Sequence, residues 1–122
     1  MNAPLDCSLC PRLVQSRLTV VNGFGPVPAA VMVVAQAPGR QEEHAQPPQP
    51  LVGWSGQRLR EKLMPLAGIP PDDVRYENIV RCKPPAKVGG DSPPTAAEIA
   101  ACRQFLTAAI AVCRPTVIIT LG

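Results

Sequence analysis

Four cysteines, one asparagine and two cations are the residues of this chain whose types and spacing could do chemistry. Cys7-Ser8-Leu9-Cys10 is a C-x2-C pair; two intervening residues allow a tight turn that brings both sulfurs to one side. Cys82 and Cys102 stand far from it, giving C-x2-C-x71-C-x19-C. A zinc ribbon usually shows two close pairs, which this chain lacks, and thiolates alone suit either an iron–sulfur cluster or zinc. Cys82 lies within Glu77-Asn78-Ile79-Val80-Arg81-Cys82-Lys83-Pro84-Pro85. There Asn78 carries both a donor and an acceptor and can read the edge of a base, although a strand-terminal asparagine more often caps a turn.

These residues need a scaffold, and the apolar runs supply one. Ala29-Ala30-Val31-Met32-Val33-Val34-Ala35 is continuous and rich in β-branched residues, the pattern of a parallel strand buried on both faces. It runs into Gln36-Ala37-Pro38-Gly39-Arg40-Gln41-Glu42-Glu43, at the strand end where open α/β sheets bind ligands, though an ordinary strand-to-helix loop has the same look. Val74 to Val80 reads as a second strand and Pro115 to Gly122 as another buried one. A short helix is expected after Pro11. A second is expected from Ser55, with Leu59, Leu63, Leu66 and Ala67 at helical spacing, Gly68 and Pro70 as the stop, and an irregular last turn at Pro65.

Thr95-Ala96-Ala97-Glu98 has capping-box spacing and should open a helix whose apolar stripe is Ile99, Cys102, Leu106, Ala109, Ile110 and Cys113. Eleven residues of helix separate Cys113 from Cys102 by roughly 16 Å, so one centre could not hold both and Cys113 is expected in the core. His44, in a proline-rich loop, is expected to be solvated.

Composition sets the outer bounds. The 122 residues are 46% hydrophobic, enough for one domain over 1–122 and too apolar for disorder. A net charge of +3 permits an anionic partner without requiring one. The basic residues of Arg58-Leu59-Arg60-Glu61-Lys62 read as a solvated face. Five cysteines, an odd number, argue against a closed disulfide framework. No apolar run reads as a membrane span and no signal peptide is seen, so a cytoplasmic location is expected.

Taken in order, several segments resemble the family 4 uracil-DNA glycosylases. They are the C-x2-C pair, Ala37-Pro38-Gly39 with Glu42-Glu43, Leu51-Val52-Gly53-Trp54-Ser55-Gly56, Asn78 to Pro85, Glu98-Ile99 with Cys102, and Pro115 to Gly122. The resemblance implies a three-layer αβα fold with a short parallel sheet and a [4Fe-4S] cluster on Cys7, Cys10, Cys82 and Cys102, with zinc as the alternative. It also implies removal of uracil from DNA by hydrolysis of the N-glycosidic bond after the base is flipped out of the stack. On this match Asn78 reads the uracil edge, Ala37, Pro38, Gly39 and Leu51 line the base site, and Arg81 and Lys83 are candidate phosphate contacts. The implied partner is uracil-containing DNA, met by a monomer away from any membrane.

The chain departs from the family at three places. Gln36 stands at the position of the catalytic glutamate and cannot take up a proton as a general base. Leu51 replaces a phenylalanine that stacks on the base, and Trp54 lies three residues on. The family's later His-Pro-Ser segment has no counterpart up to Gly122, so the domain is expected to be incomplete at its carboxyl end, with the last strand missing. These departures keep a second reading open, a weak or inactive nucleic-acid-binding module that retains the fold and cluster.

Overall fold

The computed structural model describes all residues, 1–122. Its centre is β1 (Val31–Ala35), whose last four residues are buried. Parallel β2 (Val74–Asn78) pairs on one side and parallel β5 (Val117–Thr120) on the other, giving the order β2-β1-β5. Alternation along β1 sends side chains to two separate cores. Val33 packs with Val74, Tyr76, Leu59 and Met64, while Met32 and Val34 pack with Ala109 and Cys113. Helices therefore cover both faces, and the three-layer αβα reading holds.

One covering layer is a continuous helical run: α3 (Trp54–Arg58), a π-helical stretch (Leu59–Leu63) and α4 (Met64–Leu66). The irregularity expected at Pro65 takes the form of the π turn just before it, in which the Met64 N–H reaches the Leu59 carbonyl. Arg60 departs from the solvated-face expectation. Its guanidinium stacks 3.9 Å from the Tyr76 ring centroid and donates to the Pro50 carbonyl, tying this layer to β2.

The other layer is α5 (Ala96–Cys113), which starts where the capping box places it. Thr95 Oγ1 accepts from the Glu98 N–H at 3.2 Å and Glu98 Oε1 accepts from the Thr95 N–H at 2.8 Å. Taken alone, its 18 residues with mean hydropathy 1.4 are long and apolar enough to cross a membrane, which corrects the expectation that no segment meets that test. In this fold α5 lays Ala109 and Cys113 against β1, and Cys113 is in the core as expected.

Short elements complete the chain. They are α1 (Pro11–Ser16), α2 (Arg40–His44) and a hairpin of β3 (Ala86–Lys87) and β4 (Gly90–Asp91). Phe24 bridges Tyr76 in antiparallel fashion on the far edge of β2. The expectation of a fully buried β5 fails: Val117 and Ile118 are 48% and 42% exposed, because nothing bridges its outer edge as Phe24 bridges that of the fully buried β2.

Candidate functional site

The parallel register sets Ala35 beside Asn78, so both strands end at one level. Beyond that level the two backbones stay joined, Ile79 N–H to the Ala35 carbonyl and Val80 N–H to the Gln36 carbonyl. The loops that leave them enclose a cavity of about 510 Å³ at the carboxyl edge of the sheet. Gln36, Ala37, Pro38, Gly39, Leu51 and Asn78 line it, so every residue placed at the base site from the sequence is brought together.

Asn78 is 1% exposed, and its Nδ2 is buried without a hydrogen-bond partner. Buried amides are nearly always paired, and leaving one unpaired costs about 1–3 kcal/mol. A donor held in this condition at a cavity wall is suited to a ligand. Gln36, by contrast, is exposed at the cavity rim. Leu51 sits at φ +58, a left-handed conformation rare for leucine, and joins the cavity wall to the core around Val33. That turn leaves no room above Gly56, where an added Cβ would run into the Leu51 carbonyl.

Glu42 holds the two halves of the cavity together, a role not assigned from the sequence. Its Oε1 accepts from the Gly39 N–H at 2.8 Å, and its Oε2 accepts from the N–H groups of Val52 and Gly53. The spacing from Gly39 to Glu42, that of a helix cap and its third residue, was the available signal. Glu43, 5% exposed, accepts from the Leu18 N–H at 2.6 Å and anchors the same helix to the amino-terminal segment. Arg40, Trp54, Asp91 and Ser92 also line the cavity. The last two come from a hairpin with no apolar pattern to announce it.

The expected phosphate contacts are corrected. Arg81 is 1% exposed and turned inward, with Nη2 2.6 Å from Glu77 Oε1 and Nη1 donating to Asn22 Oδ1 at 3.1 Å. The Nη2 contact is an ion pair whose angle lies outside hydrogen-bonding range, and Arg81 Nε has no partner. Burial lowers the pKa of this guanidinium, against the pull of Glu77. Arg75 Nε donates to Glu77 Oε2 at 2.7 Å, so one buried carboxylate serves two buried arginines. Lys83 pairs with Asp91 at 3.0 Å and donates to the Pro84 carbonyl, which fixes the base of the hairpin. His44 is solvent-exposed, as expected, and contacts only the Arg40 carbonyl, at 2.8 Å.

The segment after Asn78 carries Cys82 into a separate core, against which the cavity residue Ala37 also packs. Cys82 and Cys102 are buried with Leu13, Val20 and Val80, and Cys10 packs against them. All five cysteines are free thiols. Burial raises the Cys10 pKa, and Cys102, Glu98, Cys82 and Cys7 raise it further, so the four cysteines of the spaced set share one neighbourhood. They do not close into a group that could hold a single metal ion. Burial raises Cys82 and Cys102 as well, opposed by Arg17 and by the Arg81 backbone N–H, respectively. Arg17 Nη1 lies 3.5 Å from Cys82 Sγ and donates to the Cys7 carbonyl at 2.7 Å. Cationic and amide donors aimed at sulfur favour thiolate ligands, the form that metals and clusters take. Burial outweighs these donors and keeps Cys82 and Cys102 raised, but the four sulfurs are of the type that an iron–sulfur cluster or zinc takes.

Fold and site together define an α/β protein with a polar cavity at the carboxyl edge of its sheet and a thiol centre on the same segment. A family model described as "Uracil DNA glycosylase superfamily" matches residues 22–122, and the chain belongs to that superfamily. It is similar to the type-4 uracil-DNA glycosylases of Pyrobaculum aerophilum (38% identical over 117 residues, 96% of this chain and 56% of the relative) and Thermotoga maritima (38% over 116 residues, 95% and 56%). The Sulfurisphaera tokodaii type-4 uracil-DNA glycosylase is 34% identical over 118 residues, 97% of this chain and 50% of the relative. The chain spans about half the length of these curated relatives.

Proposed function

We propose that this chain carries the base-recognising part of a DNA repair glycosylase that removes uracil from DNA by hydrolysing its N-glycosidic bond. The observation that carries the reading is the buried, unpaired amide of Asn78 at the cavity wall. Its Nδ2 can donate to the uracil O4 while its Oδ1 accepts from N3–H; cytosine offers the reverse pattern at both atoms. The base must leave the stack to reach such a cavity. Stabilising the departing uracil anion lowers the barrier through an oxocarbenium-like state even without a general base. Gln36 can orient a water at the rim but cannot deprotonate it.

Cys7, Cys10, Cys82 and Cys102 would hold a [4Fe-4S] cluster. The four sulfurs share one neighbourhood, and thiolates alone suit a cluster or, as the alternative, zinc. The cluster's contribution would be structural, joining the amino-terminal segment, the end of β2 and α5. Exposed Arg40 and Arg58 replace Arg81 as candidate phosphate contacts. Action as a monomer, in the reducing cytoplasm that suits five free thiols, completes the reading.

The test is release of uracil from a single-stranded deoxyuridine oligonucleotide by the complete chain. Asn78→Ala is expected to lower the rate by about 10²–10³, the usual effect of removing one donor to a developing anion. Release by Asn78→Ala at the parent rate overturns the reading. Gln36 favours one second reading, a module that binds uracil-DNA without cleaving it. In that case the parent binds in a salt-dependent way and releases nothing, and Gln36→Glu restores cleavage.

A further inference from the structure

Trp54 is the only tryptophan of the chain and is 73% exposed. It opens α3 at the lip of the cavity that Asn78 and Leu51 line. The core does not need it, since Leu59 and Met64 of the same helical run make the contacts with the sheet. Its position is nonetheless firm. The preceding Val52 and Gly53 N–H groups are held by Glu42, and Gln57 Nε2 donates back to the Val52 carbonyl at 2.9 Å. One turn on, the Arg58 guanidinium lies 5.8 Å from the centroid of the Trp54 ring, over one face. Arg58 and Lys62 continue as exposed cations along the same run.

We propose that Trp54 is a stacking platform for the nucleobase next to the one that enters the cavity, with Arg58 set to meet the intervening phosphate. The occupant is a single strand of DNA, and the inference rests on the proposed function for its choice of ligand. An aromatic face accepts any base, so this contact adds affinity without sequence preference. A cation beside the ring meets the backbone charge that accompanies every base. Together they supply at the rim an aromatic face that the aliphatic Leu51 does not supply inside the cavity. Trp54 would hold the strand while Asn78 reads the base.

The experiment titrates the complete chain with two single-stranded oligodeoxynucleotides, one with a central deoxyuridine and one with thymidine in its place, and reads tryptophan fluorescence and affinity. Both are expected to quench the fluorescence. Trp54→Ala should weaken binding of both about tenfold, and Trp54→Phe should keep most of the affinity. Arg58→Gln should lower the slope of log K against log salt by about one. Trp54→Ala should melt like the parent, because its side chain is exposed. Quenching and a Trp54→Ala defect without any uracil release leave the platform standing and remove the catalytic reading. Uracil release with unquenched fluorescence and parental affinity in Trp54→Ala overturns the platform and leaves the catalytic reading. A chain that binds neither oligonucleotide overturns both.

Discussion

Asn78 and Cys82 lie on one short segment, yet their surroundings are of opposite kind. Around Asn78 the polar groups are unspent: its Nδ2 has no partner, Gln36 is exposed and Leu51 holds a left-handed backbone. Toward Cys82 the charged groups are engaged in ion pairs, although Arg81 Nε makes no hydrogen bond. Glu77 balances Arg75 and Arg81, Arg17 reaches the Cys82 sulfur and a backbone carbonyl, and Arg12 chelates Glu98 with two bonds of 2.9 and 2.6 Å. The same β2 strand feeds both regions, so neither the sheet nor the local sequence explains the contrast. Groups left unpaired at a cavity are free for a ligand, whereas groups paired in the interior hold the backbone that positions them.

Breaking the engaged side should cost the most. Glu77→Ala leaves Arg75 and Arg81 buried beside each other without a counter-charge, and loss of one partner of a buried pair costs about 3–5 kcal/mol. The expected fall in Tm is roughly 10–20 °C for a chain of this size. A parental melt for Glu77→Ala would mean that the charge network does not carry the stability assigned to it. Gly56→Ala comes next. The new methyl runs into the Leu51 carbonyl, and because Leu51 already occupies an unfavourable backbone conformation the loop has little room to give. A loss of about 1–3 kcal/mol, together with weaker oligonucleotide binding, is expected from calorimetry and titration.

Much of this contrast could be read in the sequence, and the rest could not for identifiable reasons. The unalternating run at Val31–Ala35 announced a strand covered on both faces, and Thr95 with Glu98 announced the start of α5. Gln36 to Gly39 and Asn78 lie at strand ends, where chain order and spatial order coincide, whereas Leu51, in a loop well past β1, was reached only through the family resemblance. Arg81 was misread because a cation next to a cysteine looks the same whether it faces solvent or a buried carboxylate. Only the contacts with Glu77 and with Asn22, far away in sequence, decide the matter. Glu42 was missed for the converse reason. Its cap spacing was visible, but its second oxygen serves Val52 and Gly53 in another loop. Trp54 stood in the sequence only as an aromatic three residues beyond Leu51, and its exposure at the cavity lip is visible only in the fold.

Removing the unspent group itself should have the opposite sign from Glu77→Ala. Asn78→Ala deletes a buried donor that bonds to nothing, so the fold loses little packing and sheds a desolvation cost. Stability should be unchanged or higher by up to about 1 kcal/mol, while uracil release falls. A marked loss of stability would instead place Asn78 with the engaged residues and erase the distinction between the two regions.

The smallest effect tests the engaged side by pH. Glu98 is pulled below its ordinary pKa of 4.5, first by the hydrogen bond from Arg12 and then by the Thr95 backbone N–H, against a burial cost. A carboxyl with a lowered folded pKa binds protons more readily when unfolded. Its contribution to stability is therefore complete above about pH 4.5 and is lost as the pH falls through the lower folded value. Melting temperatures between pH 6 and pH 3, roughly one to two units either side of that value, should fall for the parent. They should fall less steeply for Arg12→Met, in which the largest cause of the shift is gone. The Arg12 side chain is 36% exposed and screened accordingly, so the difference in slope is expected to be modest. Because any acid sensitivity of the thiol centre is common to both proteins, the difference between the two slopes isolates the Arg12–Glu98 pair. Identical slopes would mean that this pair, although fully formed, adds nothing to the fold.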